Sequence, residues 1–345
     1  MIMFKTRTIN TIILHWILTS PIDPTLEIAE STTEQPEEKI DFAVGGQAVI
    51  EGVMMRSPRH ITIAVRKQNG SIKVKKDHYL SVIQKYKFLN IPIVRGVINL
   101  FEMMIIGTKA INYSANESLD MEEEVKDEKK SKTRLFFEGL MFIVSLIIAL
   151  GFSLILFKFI PLLITTFLDE NIAAIHNNYL LFNMVDALIK GTIFLTYVYL
   201  LSLIPSFRRV FEYHGSEHKS IITYENKLPL TVENAKKQTR FHPRCGTSFI
   251  IIVFIISIFV YSLLPKQDEF IQNFLLRLSF LPLVAGISYE ALKLSAKHSE
   301  KAFVKMLIAP GLAFQKLTTK EPKNDQLEVG LDSLKAALVL EKVKF

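Results

Sequence analysis

The chain has 345 residues, 49% of them apolar, and its positive mean hydropathy exceeds that of an ordinary soluble domain. A single cysteine, Cys245, excludes an intramolecular disulfide framework, so no oxidising compartment is implied and stability must come from lipid, packing or metal. The formal charge of +7 would point to an anionic partner in a soluble protein, but in a membrane protein the placement of lysine and arginine carries the information.

Residues 1–43 read as an N-terminal extension. Its apolar patch, Ile12 to Leu18, is too short to span a bilayer. A signal-peptide core behind Lys5 and Arg7 is weakened by His15 and Trp16 and by the lack of a small-residue cleavage site, so a disordered or weakly interfacial segment is expected. From 44 to 118 the texture is α+β. Ile61, Ile63 and Val65 alternate with Thr62, Ala64 and Arg66, and Asn69-Gly70 leads into Ile72 and Val74 alternating with lysines, a hairpin signal. Val82 to Ala115 then carries apolar residues at helical spacing with Arg95 and Glu102 among them, which suits an amphipathic or interfacial helix. Residues 119–134 form a charged linker.

About four transmembrane helices follow, at 135–168, 179–207, 245–265 and 270–292. The first contains nineteen uncharged residues, Gly139 to Phe157, enough for roughly 30 Å of hydrocarbon. In the second, Asp186 and Lys190 stand one turn apart and are expected to form a local salt bridge near the headgroups. In the fourth, Arg277 and Glu290 are expected to snorkel to opposite interfaces. Lysine and arginine number five between 126 and 134, none in 169–178, eight in 208–244, and in 266–269 there is Lys266 alone. This alternation puts both termini and the 208–244 loop in the cytoplasm of a multi-pass cell-membrane protein.

Chemistry concentrates in that loop. His214-Gly-Ser-Glu217-His218 is followed by His242-Pro-Arg-Cys245 at the mouth of the third span. If 211–225 is helical, His214 and His218 share one face at i, i+4, a chelating spacing, and His242 and Cys245 add a second pair. Such ligands suit zinc. Three readings stay open: a catalytic site in which Glu217 is general base beside the metal ligands, a closed structural site, and histidines that only hydrogen-bond at the interface with Cys245 as a small buried apolar group.

Several blocks together resemble one family. Val44-Gly-Gly-Gln-Ala-Val-Ile-Glu-Gly-Val-Met-Met-Arg56, Pro92-Ile-Val-Arg-Gly96, Glu212-Tyr-His-Gly-Ser-Glu-His-Lys219, His242-Pro-Arg-Cys-Gly-Thr-Ser248 and Gln315-Lys-Leu-Thr-Thr-Lys-Glu-Pro322 are similar to the YqhQ-like family of bacterial membrane proteins. That family carries a domain of unknown function and the label of predicted metal-dependent enzyme. The resemblance implies His214, Glu217, His218, His242 and Cys245 as the candidate metal residues, and it brings no substrate. Lys320 stands where the family pattern has arginine, which bears on any phosphate or carboxylate contact there.

Gly45, Gly46 and Gly52 lack the order of a phosphate-binding loop and fit strand ends. Glu51, Arg56 and Arg95 read as salt-bridge partners, and Met54, Met55, Met103 and Met104 as packing residues. Pro310-Gly311 marks a turn, and Leu331 to Leu340 an amphipathic helix that docks on the sheet or the membrane surface. The expected molecule is therefore an α-helical polytopic membrane protein with a small cytoplasmic α+β segment and a zinc site. It would act as a hydrolase on a peptide or lipid-linked substrate, or as a noncatalytic scaffold. No nucleic acid is expected, and transport lacks its usual signs.

Overall fold

In a computed structural model the described residues are 44–119, 132–298 and 301–342. The N-terminal extension and most of the charged linker lie outside them. The described chain is mostly helical with one four-stranded antiparallel meander, β1 (Gly45–Val49), β2 (Gly52–Arg56), β3 (His60–Arg66) and β4 (Ile72–His78), in sequence order across the sheet. Gly70 occupies a left-handed conformation at φ 83° in the β3–β4 turn, as an Asn-Gly turn requires.

The long helices are α1 (Val94–Ser118), α2 (Lys132–Leu154), α3 (Ile160–Asn171), α4 (Tyr179–Leu203), α5 (Pro205–Glu225), α6 (Gly246–Ser262), α7 (Phe270–Ser279), α8 (Leu281–Lys297), α9 (Ala302–Thr318) and α10 (Asn324–Leu340). The sheet is covered on both faces. Val53, Met55 and Ala64 pack with Tyr213 and Ile221 of α5 and Leu327, Leu334 and Leu338 of α10. Met54, Ile61, Ile63 and Val65 pack with Ala110, Met103 and Ile106 of α1. The period-two alternation of β3 thus sorts its side chains between two helical layers. Both methionines of β2 are fully buried because each faces one layer.

Helix α1 begins at Val94, later than the expected amphipathic stretch, because Ile93 takes a positive φ of 71° and breaks the pattern. Its Glu102 is buried, accepting hydrogen bonds from Ser81 Oγ at 2.7 Å and the Val82 N–H at 2.5 Å. Gly96 and Asn99 seat on Tyr289 of α8, and Arg95 pairs with Glu290. Glu290, expected to snorkel to an interface, thus has its counter-charge on α1.

By length and composition, Gly139–Asn171 and Tyr179–Leu203 could each cross a membrane, and α7 with α8 up to Ser295 makes a third candidate bent by 43°. The first is continuous through a wider, π-type segment, Ile155–Phe159. Helix α6 is apolar but shorter. Arg277 does not snorkel. It is buried, donating to Asp186 Oδ2 at 2.9 Å, Asn183 Oδ1 at 2.6 Å and Asn273 Oδ1 at 2.9 Å. Lys190 donates to the same Asp186 oxygen at 2.9 Å, so the expected local pair is one half of a buried network between helices. A buried guanidinium needs such a set of acceptors.

Two further corrections concern the tail. Pro310 and Gly311 lie inside α9 rather than in a turn, with Gly311 against Ser248 of α6. Helix α10 starts at Asn324, seven residues before the expected Leu331.

Candidate metal centre

The stretch 208–244, read as a loop, is helical through Glu225, because α4 stops at Leu203 and Pro205 at the start of α5 sets a new helix direction. From Tyr213 to Thr223 helix α5 is mostly buried, packed against the sheet and α10, and it presents His214 and His218 on one face, their ring centroids 4.4 Å apart. Cys245 is the N-cap of α6 and brings its sulfur to the same point. One ligand atom each from His214, His218 and Cys245 lie within 4.8 Å of one another. His214 Nε2 is 3.3 Å from Cys245 Sγ.

The two imidazoles are oriented from behind. His214 Nδ1 is 2.8 Å from the Thr318 carbonyl, and His218 Nδ1 is 2.6 Å from the Arg240 carbonyl. A carbonyl only accepts, so each Nδ1 carries the proton and each Nε2 is left with its lone pair, the tautomer of a metal-binding histidine held by an outer partner. Among the described residues His218 Nε2 has no hydrogen-bond partner, although it is buried. Burial holds the His218 imidazole below its usual range, against the Cys245 sulfur, which works the other way. Two imidazole nitrogens and a cysteine sulfur, which binds metal as the thiolate, are donors that fit zinc.

Glu217 is on the same face. Its Oε2 lies 3.7 Å from both Nε2 atoms. Burial pushes its carboxyl above the usual range, while His214, His242 and the Gly46 N–H pull the other way. Strand β1 closes over it: a Cβ at Gly46 would lie 2.6 Å from Glu217 Cγ. On the opposite side of α5, the Lys320 carbonyl occupies the place a side chain at Gly215 would need.

His242 does not join the three. Its Nε2 faces Glu225 at 3.2 Å and 3.3 Å, and Arg244 pairs with the same carboxylate. Burial opposes ionisation of Glu225, but His242 and Arg244 hold its carboxyl below the usual range. The His242 backbone is fixed at both ends by Gln315, which accepts from its N–H and donates to its carbonyl, both at 2.8 Å. Glu225, Gln315, Thr318 and Gly46 were not singled out as site residues from the sequence. Gln315 and Thr318 stand in one of the blocks that carried the resemblance, which is the signal that could have found them. Glu51 and Arg56 stay apart from Arg95: Glu51 grips Arg209 of α5, and the Arg56 guanidinium lies over the Tyr79 ring.

Comparison with known proteins places the sequence in a family. Residues 91–340 match the family described as Protein of unknown function (DUF1385). The Uncharacterized protein YqhQ of Bacillus subtilis (strain 168) is 38% identical over 314 residues, an alignment covering 88% of this chain and 95% of that protein. No solved structure matches the chain. With the family match extending over well more than half of the sequence and the relative aligned along nearly its whole length, the chain belongs to the DUF1385 family of proteins of unknown function.

Proposed function

We propose that this chain is an integral membrane protein that holds a zinc ion where α5 meets α6, on the cytoplasmic side, and uses it for hydrolysis of a peptide or lipid-linked substrate. The observation that carries the metal reading is the pair of imidazoles whose Nδ1 atoms are both committed to carbonyls while both Nε2 atoms converge on one thiol. Three protein donors are what catalytic zinc sites provide, with the remaining position open. Zinc bound there would supply Lewis acidity toward a substrate carbonyl or phosphoryl oxygen. Glu217, buried and 3.7 Å from both Nε2 atoms, is placed to take a proton from the attacking water.

Embedding is supported by the two long apolar helices and the bent pair, whose large side chains, such as Ile148 and Leu188, are exposed. The alternation of lysine and arginine in the connections supports the cytoplasmic side for Cys245.

One observation favours a structural site instead. Glu217 is equidistant from both imidazoles and buried, so it could serve as a fourth ligand and close the centre. Cobalt(II) loaded into the detergent-purified protein separates the readings. A sulfur-to-cobalt band that disappears in Cys245→Ala, with visible bands that shift on adding azide, is the expected result for an open site. Bands indifferent to azide in the native protein but responsive in Glu217→Gln would establish the closed site and remove the hydrolase. Failure of His214→Ala and His218→Ala to lower bound metal would remove both.

A further inference from the structure

The link between β4 and α1 exposes a run of large apolar side chains. Leu80, Phe88, Ile91 and Val94 are 54%, 72%, 57% and 42% exposed. No acidic residue occurs from Leu80 to Val94, whereas Lys85 and Lys87 bracket Tyr86. The link is not a loose loop. Ser81 caps the turn Val82–Lys85, a second turn runs Lys87–Leu89, and the buried Glu102 carboxylate ties down the base through Ser81 and Val82. The Tyr86 and Phe88 rings meet edge to face at 6.2 Å, with Lys85 5.6 Å from the Tyr86 centroid. A built projection that displays apolar and aromatic groups beside lysines is a costly feature in water and a favourable one at a lipid interface.

Its position agrees with that partner. Ile93 packs on Gly286 of α8, and Gly96 on Tyr289. Gly286 is sixteen residues beyond Phe270, where the bent pair begins, which places it about 24 Å along that pair, close to the far edge of a hydrocarbon core of about 30 Å. That edge is the one at which Cys245 lies in the embedded reading.

We propose that Leu80–Val94 is an interfacial anchor: Phe88, Ile91 and Val94 enter the outer acyl region of the cytoplasmic leaflet while Lys85 and Lys87 pair with anionic lipid headgroups. This rests on the embedded reading given above. The anchor would hold the sheet against the bilayer and fix the metal centre at the depth of lipid headgroups.

The test uses the full chain with its one tryptophan removed, Trp16→Phe, and Phe88→Trp added, reconstituted in phosphatidylcholine vesicles with and without phosphatidylglycerol. The expected result is blue-shifted emission from the indole at position 88, quenched more by lipids brominated near the headgroup than by those brominated near the chain end. Lys85→Glu with Lys87→Glu should shift the emission to the red, most in vesicles containing phosphatidylglycerol. Emission of a water-exposed indole, quenched by acrylamide and indifferent to brominated lipid, would overturn the anchor. So would blue emission that brominated lipid does not quench, which means protein, such as a second copy, covers the segment. An alkaline carbonate wash keeps the two ideas apart. Protein retained in the membrane with a water-exposed indole sinks the anchor alone, whereas release of the protein sinks the embedded reading and the anchor with it.

Discussion

Glu341, directly after α10, should fasten that helix to the sheet, and Glu341→Gln should release it. The carboxylate is buried and accepts from Ser57 Oγ at 2.9 Å, the Arg59 N–H at 2.9 Å and Arg59 Nε at 3.0 Å, with His60 Nδ1 at 2.8 Å. Burial alone would raise its pKa, but these donors win and hold it at about 2, against an ordinary 4.5. A displacement of that size corresponds to about 3 kcal/mol of stability. Because the folded value is depressed, the contribution is complete above the unfolded pKa and is lost as pH falls toward the folded one. About 2 kcal/mol of it should be gone by pH 3. At neutral pH the variant should populate the opened module on the order of a hundredfold more than the native protein, read as faster cleavage within α10 at low protease, where the rate follows the open population. The gap should narrow steadily as pH is lowered below about 5. Equal cleavage at neutral pH, or a gap that stays constant down to pH 3, would refute the reasoning.

Gly46→Ala should cost about 1–3 kcal/mol, since its Cβ must displace the Glu217 side chain 2.6 Å away. Azide titration of the cobalt-loaded variant should differ from that of the native protein, and an unchanged titration would show that Glu217 is not held by β1. Asp186→Asn leaves Lys190 and Arg277 buried without their shared carboxylate, so a loss of about 3–5 kcal/mol is expected in detergent melts. Adding Lys190→Met should recover part of it, and a melt that ignores both changes would contradict a buried ion network.

What could be read from the chain was what repeats locally. Alternation in Ile61 to Arg66 and the i, i+4 spacing of His214 and His218 are short-period patterns, so the strand and the shared face of the two histidines were legible. The partners that complete them were not. Thr318, whose carbonyl orients His214, is 104 residues away from it, and Gln315, which fixes His242, is 73 residues from that residue. Such contacts leave no local period. The same limit explains Arg277: its sequence position near a helix end suggests snorkelling, whereas its acceptor Asp186 is 91 residues away. His242 was grouped with Cys245 by proximity in sequence, yet Glu225, across the turn from it, captures its Nε2. Pro310 read as a turn because proline breaks helices in general, but α9 carries it through.

The module that carries the centre is assembled from three distant stretches, and this sets an order on its birth. The strands leave the ribosome first, α5 much later and α10 last, with Arg66 and Asn324 separated by about 260 residues. At roughly 5–20 residues per second, one face of the sheet waits on the order of ten to fifty seconds for the α10 part of its cover. Throughout that interval Val53, Met55 and Ala64 lack the Leu327, Leu334 and Leu338 packing that later hides them. A nascent chain stalled before α10 would therefore present a sheet face covered by Tyr213 and Ile221 of α5 but not by α10, while its His214, His218 and Cys245 are already made, so a holdase that recognises apolar surface would separate finished from unfinished copies.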